Sequence, residues 1–138
     1  MKNVIMEIAN HEHYVSLEIA NLLKEAGFDW KCRGIYVLDS ENDPKYIFST
    51  ANFTNTSKEI EGYIRLSAPT LEVAQRWLRE IKGIFICTTP EIKDYYATWN
   101  FYICDEQGLF YENEDCFLTY EEAQEAGIKK ALELILEK

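Results

Sequence analysis

His11 and His13 flank Glu12 near the start of the chain, and they are its only two histidines. A His-x-His pair in an extended segment sets both imidazoles on one side, which is how a zinc or other divalent ion is gripped. Such a site needs further ligands, and none follows at a diagnostic spacing. Cys32 is the nearest thiol, and no Cys-x-x-Cys pair occurs. The plainer reading is a polar lead-in to a helix, with a metal at His11 and His13 kept as the alternative. Nucleophilic catalysis would need a Cys or Ser beside a base, and the chain offers no imidazole outside this pair. No GxSxG, P-loop, GxGxxG or HExxH pattern is present. The motifs imply no cofactor, and an enzyme or metal protein ranks behind a binding role.

Carboxylates are the other chemical resource. From Asp94 to Ile128 the chain has nine of them and no Lys or Arg, within a net charge of −10. A field of that sign repels phosphate backbones, so direct nucleic-acid binding is disfavoured. One sharp reading makes the acids a nucleic-acid mimic that blocks a basic cleft of a DNA- or RNA-binding protein, with Glu112, Glu114 and Asp115 as the residues to reverse. The competing reading places them at a hairpin turn and a helix start, where solvent and the helix dipole account for them. Tyr95, Tyr96, Trp99 and Tyr102 raise a similar choice. Tyr95 and Tyr96 are candidates for the rim of a protein interface, whereas Trp99 suits the core with the tyrosine hydroxyls left wet.

These residues must be positioned by a folded frame, and the chain has the means to build one. At 138 residues with 47% apolar side chains, a single domain from Met1 to Lys138 with one core is expected. The first residues lack the pattern of a secretory signal, and no apolar run nears the length that spans a bilayer. A cytoplasmic protein with no membrane association follows as the expectation, and in that compartment Cys32, Cys87, Cys104 and Cys116 are expected as buried free thiols.

A hexamer recurs three times, as Ser16-Leu17-Glu18-Ile19-Ala20-Asn21, Thr70-Leu71-Glu72-Val73-Ala74-Gln75 and Thr119-Tyr120-Glu121-Glu122-Ala123-Gln124. Each pairs a hydroxyl able to cap a helix with a Glu in the first turn, and so marks a helix start. Thr119 and Glu122 also have capping-box spacing. After each cap the apolar residues take helical spacing: Ile19, Leu22, Leu23 and Ala26 before Gly27; Val73, Ala74, Trp77, Leu78 and Ile81 before Gly83; Ala123, Gly127, Ala131 and Leu134 in the last helix, where Gly127 points to close approach of a sheet.

Between the helices, Ile84 to Thr88 reads as a central strand or one buried on both faces. Tyr95 to Cys104 alternates, with Ala97, Trp99, Phe101 and Ile103 on the buried side. Asp105-Glu106-Gln107-Gly108 turns the chain into a hairpin with Leu109 to Tyr111. Residues 28–38 and 63–67 give further strands, and Ala51 to Glu61 reads as a mobile loop. The order is helix, two or three strands, helix, three strands, helix. The recurring hexamer leaves open a duplicated helix-plus-strands unit. Short turns require antiparallel pairing, so the expected fold is α+β, an antiparallel sheet of four to six strands with three helices packed on it.

The segments Tyr14-Val15-Ser16-Leu17-Glu18-Ile19-Ala20, Ala68-Pro69-Thr70-Leu71-Glu72-Val73-Ala74-Gln75-Arg76-Trp77-Leu78-Arg79-Glu80 and Ala126-Gly127-Ile128-Lys129-Lys130-Ala131-Leu132-Glu133-Leu134 resemble small hypothetical proteins of prophages and mobile elements of gut Bacteroidetes. The layout of the second half is also similar to the phage-type alpha-beta-alpha sandwich domain. The resemblance rests on caps and apolar faces; it implies a genetic context and a fold, and it transfers no catalytic residue. The functional expectation is an accessory protein of a phage or mobile element, non-enzymatic and acting by binding another protein. Homodimerisation stays open.

Overall fold

In the structure, a computed structural model, the Ser16 hydroxyl accepts a hydrogen bond from the amide of Ile19 at 3.3 Å and starts helix α1, Leu17–Ala26. Gly27, at φ 94°, ends it, with its amide bonded to the carbonyls of Leu23 and Lys24. A left-handed residue at that point costs a glycine nothing, which is why the stop was legible. The structure describes residues 13–38, 44–55 and 63–137; His11 and the 56–61 part of the expected loop lie outside the described residues. Among the described residues there are three helices and six strands, an α+β architecture with antiparallel pairing throughout. The six strands form two sheets of three. The chain divides into two compact units, residues 1–72 and 73–138.

In the first unit, β1 (Cys32–Leu38) lies between β2 (Pro44–Phe53) and β3 (Ile64–Ser67). Ala51 to Phe53, expected in a loop, instead complete β2, where Phe53 stands opposite Cys32. Helix α1 packs against β3 through the buried Ile19, Ala20, Leu23 and Ala26. Gly34 in β1 is forced to be small: a Cβ there would sit 2.5 Å from the Ala68 carbonyl oxygen and 2.6 Å from the Tyr46 hydroxyl. Asn55 closes the end of the sheet, donating to the Phe28 carbonyl at 3.1 Å and accepting from the Ser67 amide at 2.8 Å. Residues 13–15 run beside 69–71, where the His13 carbonyl takes the amide of Leu71 at 2.8 Å and so satisfies the first free amide of the next helix.

That helix, α2 (Leu71–Lys82), buries Leu71, Ala74, Trp77 and Leu78. Ile81, placed on the same stripe by its spacing, is exposed instead, one residue short of the Lys82 end. The second unit continues with β4 (Ile84–Lys93), β5 (Tyr96–Asp105) and β6 (Phe110–Glu112), paired in that order as a meander. Thr119 accepts from the Glu122 amide at 3.1 Å and starts α3, Tyr120–Leu136. Helix α3 lies on β4 and β5, and Gly127 makes this contact possible. A Cβ at that position would meet Ile86 Cγ2 at 2.8 Å and the Phe101 ring at 3.3 Å.

Two expectations change here. The Ile84–Thr88 segment belongs to a strand that runs on to Lys93 and pairs on one side only, so among the described strands it is an edge, with Ile84 and Ile86 buried and Phe85 and Cys87 half-buried. An apolar run cannot by itself tell a central strand from an edge strand covered by a helix. The two halves also differ in strand order, β2-β1-β3 against β4-β5-β6. The repeated hexamer therefore reflects shared helix-start chemistry and not a copied unit. Leu23, Trp77 and Leu132 are all buried, as amphipathic helices require.

Candidate protein-interaction site

The β4–β5 ladder is fully paired from Ile84 with Asp105 to Lys93 with Tyr96. Along it, Ile84, Ile86, Thr88, Pro90 and Ile92 of β4 share a face with Ile103, Phe101, Trp99 and Ala97 of β5. Helix α3 covers the lower part of that face, where Ile84, Ile86, Phe101 and Ile103 are buried. Coverage stops near the helix start, where Tyr120 packs edge-on against Trp99 with ring centroids 5.4 Å apart. Beyond Trp99 the same face continues uncovered. Ile92 is 76% exposed, Ala97 is exposed, and Trp99 is only half-buried. Ala97 and Trp99 thus lie on the expected side of the strand, but the strand outruns the helix meant to bury them.

The turn at the tip carries backbone strain. Asp94 and Tyr95 occupy φ 46° and 77°, the only non-glycine residues with positive φ among the described residues. Two left-handed residues between the Lys93 and Tyr96 ends make a type I′ turn, whose twist matches the strands and whose usual second residue is glycine. Here a tyrosine occupies that position with its side chain fully in solvent. Tyr95 is therefore a turn residue and not the first strand residue its alternation suggested. Tyr96, 60% exposed, projects from the opposite face beside Lys93. A bulky residue kept in a conformation that disfavours it, fully wet, points to a role for its side chain outside the fold.

The free edge of β4 is guarded. Trp99 exchanges two 2.8 Å backbone bonds with Phe117, and the Phe101 amide donates to Asn113 Oδ1 at 2.5 Å, so these β5 residues turn their polar groups away from β4. Their β4 partners Pro90 and Thr88 consequently present backbone groups outward, and so, by the two-residue alternation of the ladder, do Ile86 and Ile92. Gln75 of α2 donates to the Ile86 carbonyl at 3.0 Å, and the buried Gln124 of α3 donates to Gln75 at 2.9 Å. Pro90 sits at an outward position where it has no N–H to offer.

Glu112, Glu114 and Asp115 are exposed, on β6 and just after it. Asn113 between them anchors the segment, its own amide donating to the Phe101 carbonyl at 3.2 Å. Leu118, two residues from the start of α3, is 77% exposed. His13 is exposed, and its described role is the carbonyl bond to Leu71. Among the described residues, no three His, Cys, Asp or Glu side chains are gathered as metal ligands.

The four cysteines are free thiols but not buried ones; Cys32, Cys87 and Cys104 are half-buried and Cys116 is exposed. Cys87 and Cys104 lie on the sheet face opposite the one α3 covers, which leaves them partly accessible. Burial pushes the Cys32 thiol above its ordinary value, and burial together with neighbouring Tyr14 does the same to Tyr46. A hydrogen bond with the Cys87 thiol raises Tyr102. Cys32, Tyr46 and Tyr102 therefore stay protonated at neutral pH and are not primed as nucleophiles or bases.

Ile92, Pro90 and Leu118 were missed as site residues. The signal for Ile92 was present in the alternation of Ile84, Ile86 and Thr88, which continues through Pro90 to Ile92. The proline masked it, because an interior proline reads as a strand end unless the edge is known. Together the fold and site define an α+β protein with an uncovered apolar hairpin end. No protein-family model matches the chain, and neither a curated protein nor a solved structure matches it.

Proposed function

We propose that this protein acts by binding another protein through the outer half of the β4–β5 hairpin, without chemistry of its own. The observation that carries this reading is the continuation of the α3-covered face into solvent, with Ile92 and Ala97 uncovered and Tyr95 displayed on a strained turn. Interfaces draw most of their energy from a few aromatic and aliphatic anchors, and Ile92 and Tyr95 have that form. The partner's surface is basic: Glu91, Asp94, Glu114 and Asp115 are exposed acids on the hairpin and the segment beside it, and Lys93, in an ion pair with Glu91 at 3.2 Å, is the hairpin's one base. The same exposed Glu112, Glu114 and Asp115 favour a second reading, in which the acids imitate phosphates and block a nucleic-acid-binding cleft. The resemblance to prophage proteins supports an accessory role in a mobile element.

A photo-crosslinking residue placed at position 92 or 95, with position 122 on α3 as control, identifies the partner in cells that make the protein. With that partner purified, Ile92→Asp and Tyr95→Ala each weaken binding at least about tenfold, while reversal of Glu112, Glu114 and Asp115 lowers it less. Cross-links from position 122 alone, or full affinity in both hairpin variants, overturn the reading. Loss governed by the three acids, with the hairpin variants binding normally, selects the phosphate-mimic alternative.

A further inference from the structure

We propose that a cavity at the other end of the second unit's sheet is a binding site for a small aliphatic ammonium ion. The cavity, about 290 Å³, opens between the end of α2, the β5–β6 turn and the last turns of α3. Ile84, Leu109, Leu134 and Ile135 give it aliphatic walls, and Asp105 and Glu106 bring two carboxylates to it. That volume and that mix of apolar wall with a few polar groups are what a small organic ligand needs.

Charge selects the ligand's sign. Helix α2 ends at this cavity with Gly83 at φ 66° and carries Arg79 and Lys82 in its own last turn, whereas α3 ends beside it with no basic residue in its last turn. Each helix C-terminus carries a partial negative charge from unpaired carbonyls, which favours a cation nearby. The one base at the rim, Lys82, holds its ammonium 5.5 Å from the centre of the Trp77 ring, where the aromatic face attracts it. Asp105 is fixed in place, because its Oδ1 accepts the amides of Gln107 at 2.9 Å and Leu109 at 2.7 Å. Glu106 is exposed and able to turn toward a ligand. The arrangement suits an alkyl chain against the walls with its ammonium between the carboxylates and the helix ends.

Titration of the full chain with butylammonium, hexylammonium and hexanoate, followed by amide NMR, tests the site. Saturable shifts are expected at Gly83, Leu109 and Ile135. Hexylammonium should bind about tenfold more tightly than butylammonium, from two extra buried methylenes, and hexanoate at least tenfold more weakly. Glu106→Lys should weaken hexylammonium about tenfold, while Glu122→Lys, the same charge change at the far end of α3, should leave it unaltered. Nα-acetyl-lysine amide, whose side chain has four methylenes, is a further probe that separates a peptide lysine, which would bind like butylammonium, from a free amine. Absence of saturation, equal binding of hexanoate, or equal loss in the two charge variants overturns the proposal.

Discussion

Replacing Tyr95 by glycine should stabilise the protein while removing its binding. An L-residue held in the left-handed region costs about 1–2 kcal/mol, and Tyr95 at φ 77° is such a residue. Its side chain is fully exposed, so its removal forfeits little burial. Glycine adopts that φ freely but loses roughly 0.5–1 kcal/mol more chain entropy on folding. The balance is a gain of about 0.5–1 kcal/mol, or about 2–4 °C in Tm for a chain of this size. Tyr95→Ala is the control, since it removes the ring and keeps the left-handed Cβ. Urea and thermal unfolding should therefore rank glycine above alanine by about 1 kcal/mol, while both variants lose the partner. Equal stability of the two would refute strain at the turn, and retained binding in both would refute a role for the ring.

Gly127→Ala should lower stability by about 0.5–2 kcal/mol in urea unfolding despite its better helix propensity, because the new methyl would lie 2.8 Å from Ile86 Cγ2; a gain in stability would show that the helix and sheet can part without cost. Tyr46 should make stability fall at high pH. Burial holds its phenol well above the usual value near 10, so the folded state keeps this proton where the unfolded state has lost it. The contribution is intact below about pH 10 and is lost as the pH rises further. Unfolding measured from pH 8 to 11.5 should show a decline that Tyr46→Phe reduces, and an unchanged slope in that variant would assign the decline elsewhere.

Helix starts and stops were legible because their chemistry is local: a hydroxyl that takes a free amide at Ser16 and Thr119, and a glycine that tolerates positive φ at Gly27 and Gly83. The β5–β6 turn was legible for the same reason, since Asp105 and Gly108 suit it intrinsically. What stayed hidden depends on distant partners. The β2 strand escapes a reading of the sequence because it opens on Pro44 and passes through the polar Ser49 and Thr50, yet it pairs with β1 from Pro44 to Phe48 and again at Phe53, across an irregularity in register. The Asp94–Tyr95 turn has no glycine to announce it, so the end of β4 was lost along with Ile92. Of the candidate site, Tyr95, Tyr96 and the acids could be named from the sequence, because residue type alone marks them. That the hairpin outruns its helix could not, because it depends on where α3 begins in space.

Pro90 has a further effect on how any contact at this end can form. A strand from another molecule cannot zip along β4, since the ladder would break at the missing donor and again where Gln75 already occupies Ile86. Generic main-chain recognition, which tolerates almost any extended sequence, is thereby closed off. Selectivity then falls to the shapes of a few protruding side chains, so one substitution at Ile92 or Tyr95 can redirect the protein to a new companion while its frame stays untouched.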